Sequence, residues 1–395
     1  MKTRCLVRSS TMSMRVPLTA FLVLLIVALP SRSALSIDTL ARRAILMDMT
    51  TETVLMEKNA DEPMPTASMS KIMTTYMLFE ALKEGRLRLD DRLPVSENAW
   101  RKGGAPSGGS AMFLNIHSEA TVEELIRGIV VQSGNDASIV VAEGLAGSEE
   151  AFAAEMTRRA RALGLVNSTF RNATGWPHPG HESTARDLAR LAKLTIENFP
   201  DYYHYYAETE YTYNGIRQGN RNPLLYTDLG GDGLKTGHTN EAGYGLTGSA
   251  KMGDRRLILV IAGLANEKER AEEAKKLMSW GFREFDNYKL LAANETAATA
   301  EVWLGEKDHV PLVTDKDAIV TLPRAARPDM TVKVRYEGPI PAPIEKGQRL
   351  GTLVVEAPNT APVELPLFAG EPVEQLGMLG RLGASLRHFV MSQIN

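Results

Sequence analysis

Ser68 stands three residues ahead of Lys71, at the head of the apolar run Ile72-Met73-Thr74-Thr75-Tyr76-Met77-Leu78-Phe79. Residues three apart lie on neighbouring turns of one helix face, so this hydroxyl and this amine should point the same way. A serine hydroxyl is a poor nucleophile until a neighbour takes its proton. A lysine can take it once burial or a nearby cation lowers its pKa. The N–H groups and dipole at a helix N-terminus also suit an oxyanion. Alone, Ser-x-x-Lys is a weak signal, because most such tetrapeptides are solvated helix starts. Here the following helix has almost no polar face, which argues for burial.

Two further groups carry chemistry. Ser133-Gly134-Asn135 joins an apolar helix ending near Gln132 to another starting at Ala137. Polar side chains at such a junction either cap the helices or point into a cleft. Lys235-Thr236-Gly237, at the start of a strand, offers an ammonium, a hydroxyl and a close backbone approach along one edge. That combination grips a carboxylate, although a plain β-turn reads the same way. His178 and His181 are separated by Pro179-Gly180, which breaks helical spacing, and no third ligand is evident; neither a metal nor a cofactor is expected.

The elements that must position these groups can be read in order. Residues 44–49 and 53–56 form a hairpin, and the proline-marked loop 61–67 delivers the chain to Ser68. Residues 103–110 are a glycine-rich loop. Thr121-Val122-Glu123-Glu124 is a capping box opening the helix 125–131. An amphipathic helix follows at 149–163, then a Gly/Pro/Asn loop at 167–181, a helix from Thr184, and an aromatic stretch at 202–213. Residues 243–250 and 256–262 read as strands, and 272–285 as a closing helix. From 299 to 368 short alternating segments and Pro/Gly turns indicate a small all-β domain. In the tail, Leu376, Leu379, Leu382, Leu386, Phe389 and Val390 recur at helical spacing. They fit a helix lying in a membrane interface or one docked on the protein.

Bulk properties narrow the class. At 395 residues and a formal net charge of -3, the chain can hold two domains and shows no sign of nucleic-acid binding. Lys2, Arg4, Arg8 and Arg15 precede an apolar run over 16–29 and then Pro30-Ser31-Arg32-Ser33, the order of a secretory signal peptide. An uncleaved anchor is the alternative, but the run is short for a membrane span. Cleavage after Ser33 leaves 40 of the 45 basic and all 48 acidic residues, and removes Cys5, the single cysteine. A secreted chain without cysteine has no disulfides and must rely on its cores.

Together, Ala67-Ser68-Met69-Ser70-Lys71, the segment 126–137 around Ser133-Gly134-Asn135, Asn214-Gly215-Ile216-Arg217-Gln218 and Asp232-Gly233-Leu234-Lys235-Thr236-Gly237-His238-Thr239 resemble the low-molecular-mass penicillin-binding proteins of the D-alanyl-D-alanine carboxypeptidase type. The resemblance spans roughly residues 38–290. It implies an α/β (α+β) transpeptidase-like domain: a central antiparallel sheet with helices on both faces and a helical subdomain. A small all-β domain and an amphipathic C-terminal helix follow. The expected divisions are 1–33, 34–290, 291–372 and 373–395.

The resemblance also implies roles. Ser68 attacks the carbonyl of the penultimate D-alanine of a peptidoglycan stem peptide, Lys71 accepts its proton, and Ser133 relays that proton to the leaving amine. Asn135, Lys235, Thr236, Gly237, His238 and Thr239 bind substrate, and the N–H groups of Ser68 and His238 form the oxyanion hole. β-Lactams would acylate Ser68 as covalent inhibitors. The expected location is periplasmic, peripherally attached to the inner membrane through the tail helix. An endopeptidase, a β-lactamase and a non-hydrolytic β-lactam sensor are the competing readings. A class A β-lactamase needs a glutamate-activated water, for which Glu182 is only a loop candidate.

Overall fold

The computed structural model describes residues 37–378 and 380 of the chain. The expected signal peptide and most of the expected tail helix lie outside the described residues.

Strand β1 (Arg43–Asp48) turns back into β2 (Val54–Lys58), and a 3-10 turn over Ala67–Ser70 runs directly into helix α1 (Lys71–Lys83). This helix is buried on every side. Burying Ile72, Met73, Leu78 and Phe79, all with no exposed surface, contributes about 1.5–3 kcal/mol each. A short ladder of β3 (Arg92–Pro94) and β4 (Glu119–Thr121) brackets α2 (Glu97–Gly103). Next come α3 (Val122–Val130), opened by the Thr121/Glu124 capping box, then α4 (Asn135–Ala146), α5 (Glu149–Ala162), α6 (Ala185–Asn198) and the single turn α7 (Pro200–Tyr203).

A hairpin, β5 (Glu210–Tyr213) with β6 (Ile216–Gly219), precedes the strands β7 (Gly231–Thr239), β8 (Gly243–Met252) and β9 (Arg255–Leu264). These complete an antiparallel five-stranded sheet in the order β2-β1-β9-β8-β7. Helix α8 (Glu267–Glu284) covers one face, and α6 and the helical core cover the other. Because both faces are covered, β9 is a nearly continuous apolar run. Its Ile258 and Val260 join the core around α1, and its Leu257, Leu259 and Ile261 join the core under α8. The expected central sheet and helical subdomain are therefore present. Helix α8 begins at Glu267, five residues before the expected start at 272, because the Asn266 side chain caps it by accepting from Glu269 N at 2.9 Å.

The C-terminal region is all β. Strand β10 (Phe285–Leu291) pairs with β13 (Ala318–Pro323). The strands β11 (Thr296–Trp303), β12 (His309–Val313), β14 (Thr331–Tyr336), β15 (Ile340–Pro341), β16 (Arg349–Glu356) and β17 (Val363–Ala369) form a six-stranded sheet ordered β14-β16-β17-β12-β11-β15. The expected division at 290/291 falls inside β10. A buried ion pair ties the two regions together: Arg255 Nε donates to Asp48 Oδ2 at 2.8 Å, and its Nη1 donates to Phe285 O at 2.7 Å. Asn287 Nδ2 donates to the other Asp48 oxygen at 3.2 Å.

Candidate active site

Ser68 lies in the 3-10 turn ahead of α1, and Lys71 is the first residue of the helix itself. With three residues per turn, positions i and i+3 eclipse, so the turn stacks the two side chains. Lys71 Nζ lies 2.9 Å from Ser68 Oγ, 2.6 Å from Asn135 Oδ1 and 2.8 Å from the carbonyl of Thr174. The lysine has no exposed surface. Burial, reinforced by the Arg221 charge, lowers its pKa to about 7.

This environment orients the neutral amine. The Asn135 and Thr174 oxygens only accept, so they take the two remaining N–H bonds. The lone pair is then left for the one neighbour that can donate, the Ser68 hydroxyl. The third corner, Thr174 O, is built by Asn172, whose Oδ1 accepts from Thr174 N at 3.2 Å and Gly175 N at 2.8 Å. Gly175 has φ +81°, and a Cβ there would fall 1.8 Å from Ala67 O. The turn that carries Ser68 thus rests on bare backbone. Ala67 itself is held left-handed at φ 46°.

Ser133 and Asn135 come from the junction between α3 and α4. Ser133 is also left-handed, at φ 61°, and almost fully buried. Such strain is retained where surrounding contacts over-determine it. Here Asp136 fixes the junction, its carboxylate accepting from Met112 N at 2.9 Å, Leu114 N at 3.1 Å and Ala137 N at 2.9 Å. Burial raises its pKa against the opposing pull of those hydrogen bonds.

Strand β7 supplies the opposite wall. Gly237 packs close to the turn that carries Ser68: a Cβ on it would lie 2.8 Å from Thr66 O. Ser68, Ser133, Asn135, Thr236, Gly237, His238 and Thr239 therefore line one cleft of about 570 Å³. Lys235 is buried, with Nζ donating to Thr236 O at 3.1 Å. Burial and then the charge of Lys71 hold its pKa well below the usual lysine value.

Arg221 and Arg270 also line the cleft, and the sequence reading did not single them out. Arg270 is 4% exposed, and its Nε is buried without a partner; its guanidinium lies 5.7 Å from the centroid of the Tyr244 ring, which stacks on His238 at 3.9 Å. Arg221 and Arg270 line the cleft with Glu267 as its one carboxylate among the described residues, and both lie near enough to Lys235 for their charges to help lower its pKa. Such a cleft attracts an anion at that end.

Ser70 and His181 are structural. Ser70 points away from the cleft and bonds His181 Nε2 at 2.7 Å. His181 Nδ1 accepts from Arg171 N at 3.2 Å, and burial lowers its pKa to about 4. Among the described residues no group of three or more His, Cys, Asp or Glu side chains is placed to hold a metal.

Comparison with known proteins covers most of the described length. Residues 30–266 match the D-alanyl-D-alanine carboxypeptidase family of peptidase S11, and residues 285–375 match the C-terminal domain of penicillin-binding protein 5. The chain is 41% identical over 345 residues to D-alanyl-D-alanine carboxypeptidase DacC of Escherichia coli K12, covering 87% of this chain and 86% of that one. It superposes on penicillin binding protein 5 from Haemophilus influenzae with a TM-score of 0.80 at 33% identity, covering 86% of this chain and 99% of the other. Penicillin-binding protein D2 of Listeria monocytogenes, solved with ampicillin bound, matches 62% of this chain and 99% of its own with a TM-score of 0.54 at 30% identity. A serine beside a buried amine, facing an anion-seeking strand, is what such an enzyme requires, and the chain belongs to the serine D-alanyl-D-alanine carboxypeptidases.

Proposed function

We propose that this carboxypeptidase removes the terminal D-alanine of peptidoglycan stem peptides through an acyl-enzyme on Ser68. The observation that carries the reading is the cage around Lys71, which leaves the Ser68 hydroxyl as the only donor to a neutral amine. Ser68 Oγ attacks the penultimate carbonyl as Lys71 takes its proton. The oxyanion receives the N–H groups of Ser68 and His238. The C–N bond then breaks, and Ser133 passes the proton to the departing amine. Asn135 bonds the substrate amide, and Lys235 and Thr236, with Gly237 and Thr239 along the same edge, hold the terminal carboxylate. Water completes the cycle: Lys71 takes its proton and returns it to Ser68 as the ester is cleaved.

β-Lactams acylate Ser68 by the same route, as the ampicillin complex of the Listeria relative supports. Fast β-lactam turnover is disfavoured. The carboxylate that lines the cleft, Glu267, lies 3.6 Å from Arg270, and Glu182 lines a separate cavity.

The same reading has residues 1–33 removed on export and residues 34–290 forming the catalytic domain. Residues 291–372 form a β-domain, and 373–395 hold the enzyme on the periplasmic face of the inner membrane. No helix among the described residues is long and apolar enough to cross a membrane, which fits a peripheral attachment.

The test is D-alanine release from diacetyl-Lys-D-Ala-D-Ala, paired with intact-mass detection of a penicillin adduct, on wild type and Ser68→Ala. The variant should lose on the order of 10⁴-fold or more in kcat/KM and form no adduct, with its thermal midpoint kept. Retained turnover would remove Ser68 as nucleophile. An adduct without peptide turnover in the wild type would favour the sensor, and rapid penicillin turnover the β-lactamase.

A further inference from the structure

Glu149 is a buried carboxylate that no step of the reaction uses. It is the first residue of α5 and is 9% exposed. Among the described residues it has no ion-pair partner. The charge of Lys102 on α2 reaches it only from a distance, and Glu150 and Glu143 repel it. The helix N-terminus eases the cost of burying such a charge but does not remove it. What the carboxylate touches is a part of the active site. Its Oε1 accepts from Ala173 N at 3.1 Å. The carbonyl of the same alanine accepts from Thr74 Oγ1 on α1 at 2.7 Å, and the next carbonyl, Thr174 O, holds Lys71 Nζ at 2.8 Å. Glu149 thus grips, from the far side, the short backbone segment that walls the lysine cage.

The grip also bounds a distance. From Ala173 N to Thr174 O the backbone spans at most about 7 Å. With one hydrogen bond at each end, the carboxylate oxygen lies within about 13 Å of the amine. Ala173 has no exposed surface, so protein rather than water fills the gap. Across it a unit charge moves a titration by about half a unit to one unit.

The other charges facing Lys71 have further duties. Asp136 of α4 favours the protonated amine, but its three backbone bonds brace the helix junction. Arg221 acts in the opposite sense, Lys235 of β7 and Lys71 repel one another, and burial keeps His181 neutral. On the helices packed against α1, Glu80 is paired with Arg159, Arg127 with Glu123 and Glu208, and Asp187 accepts from Asn167 N and Ser168 Oγ.

We propose that Glu149 is a positioning residue for Lys71: its carboxylate holds the 173–174 backbone onto the amine, and its charge sets the pH at which that amine becomes a base. The two effects separate, because an amide keeps the accepting oxygen and drops the charge. The assignment rests on Lys71 as the base of the carboxypeptidase reading.

The experiment is the second-order rate of penicillin acylation between pH 5 and pH 9 for wild type, Glu149→Gln and Glu149→Leu, with thermal midpoints as the check on folding. Glu149→Gln should keep the high-pH plateau within about twofold and move the acid limb down by about half a unit to one unit, reacting about threefold to fivefold faster than wild type at pH 6. Glu149→Leu offers no acceptor, and should lower the plateau itself by about tenfold or more. An acid limb unmoved in Glu149→Gln, or a plateau undiminished in folded Glu149→Leu, would overturn the role of Glu149 while leaving Lys71 as the base. A wild-type profile with no acid limb would remove Lys71 as the base, and the role of Glu149 with it.

Discussion

Lys71 and Lys235 lie buried in the catalytic region with no carboxylate in contact with either amine. In the β-region several exposed cations meet an anion: Lys333 with Glu356 at 2.6 Å, Arg335 with Glu364 at 2.9 Å, and Lys289 with Asp317 at 2.6 Å. Backbone conformation divides in a related way. Ala67, Phe113 and Ser133 adopt left-handed φ around the cleft, whereas two of the three such non-glycine residues in the β-region are asparagines, which tolerate it. One region holds unfavourable charge and backbone in place to do chemistry, and the other has no such constraint. The contrast separates residues kept for reactivity from residues kept for folding.

The sharpest break of this contrast comes at the seam. Asp48→Ala leaves the Arg255 guanidinium buried without its carboxylate, and should cost about 3–5 kcal/mol in urea unfolding. D-alanine release in the folded protein should stay within about twofold of wild type, because the pair does not line the cleft. A small stability loss would mean that water or Asn287 substitutes for the aspartate.

The pH dependence tests Lys71 directly. In the proposed mechanism the neutral amine is the base, and its pKa is lowered to about 7. The acylation rate by a β-lactam should therefore be flat above pH 7 and fall about tenfold per pH unit well below it. A profile level from pH 5 to 9 would remove Lys71 as the proton acceptor.

Lys235→Met should abolish peptide turnover yet raise stability by about 1–4 kcal/mol, since it removes an unpaired buried charge. Its folded pKa is depressed below 10.5, so the unfolded chain binds the proton more tightly, and wild-type stability rises with pH toward that value. The advantage of the variant should be full at low pH and shrink as pH approaches 10.5. Denaturant midpoints at pH 6 and pH 10 measure the change. Lys333→Ala, by contrast, should move stability by no more than about 0.5 kcal/mol and leave activity unchanged.

Legibility followed the same division. The stacking of Ser68 on Lys71 and the burial of α1 were readable because side-chain type and spacing encode them. The alternation of β9 between two cores was readable only as an apolar run, since both its faces are covered. The Thr174 carbonyl was not readable, because a backbone oxygen leaves no mark in the sequence; the nearest signal was the Asn172 turn. Arg270 was missed for another reason. It lies in Glu267-Lys268-Glu269-Arg270, which has no apolar period, and its burial arises only when α8 starts at the Asn266 cap. Arg221 sits in the irregular segment between β6 and β7, where no periodic pattern places it.

The cage around Lys71 has a consequence for when the protein becomes reactive. Its amine is gripped by groups 64 and 103 residues further along the chain. Until both segments have arrived, the lysine stays solvated and protonated, and the serine is as inert as any other. The nascent chain is therefore latent without any inhibitory segment, because latency is inherent in its unfolded state. Penicillin labelling during refolding would then act as a clock that reads the arrival of the last long-range contact.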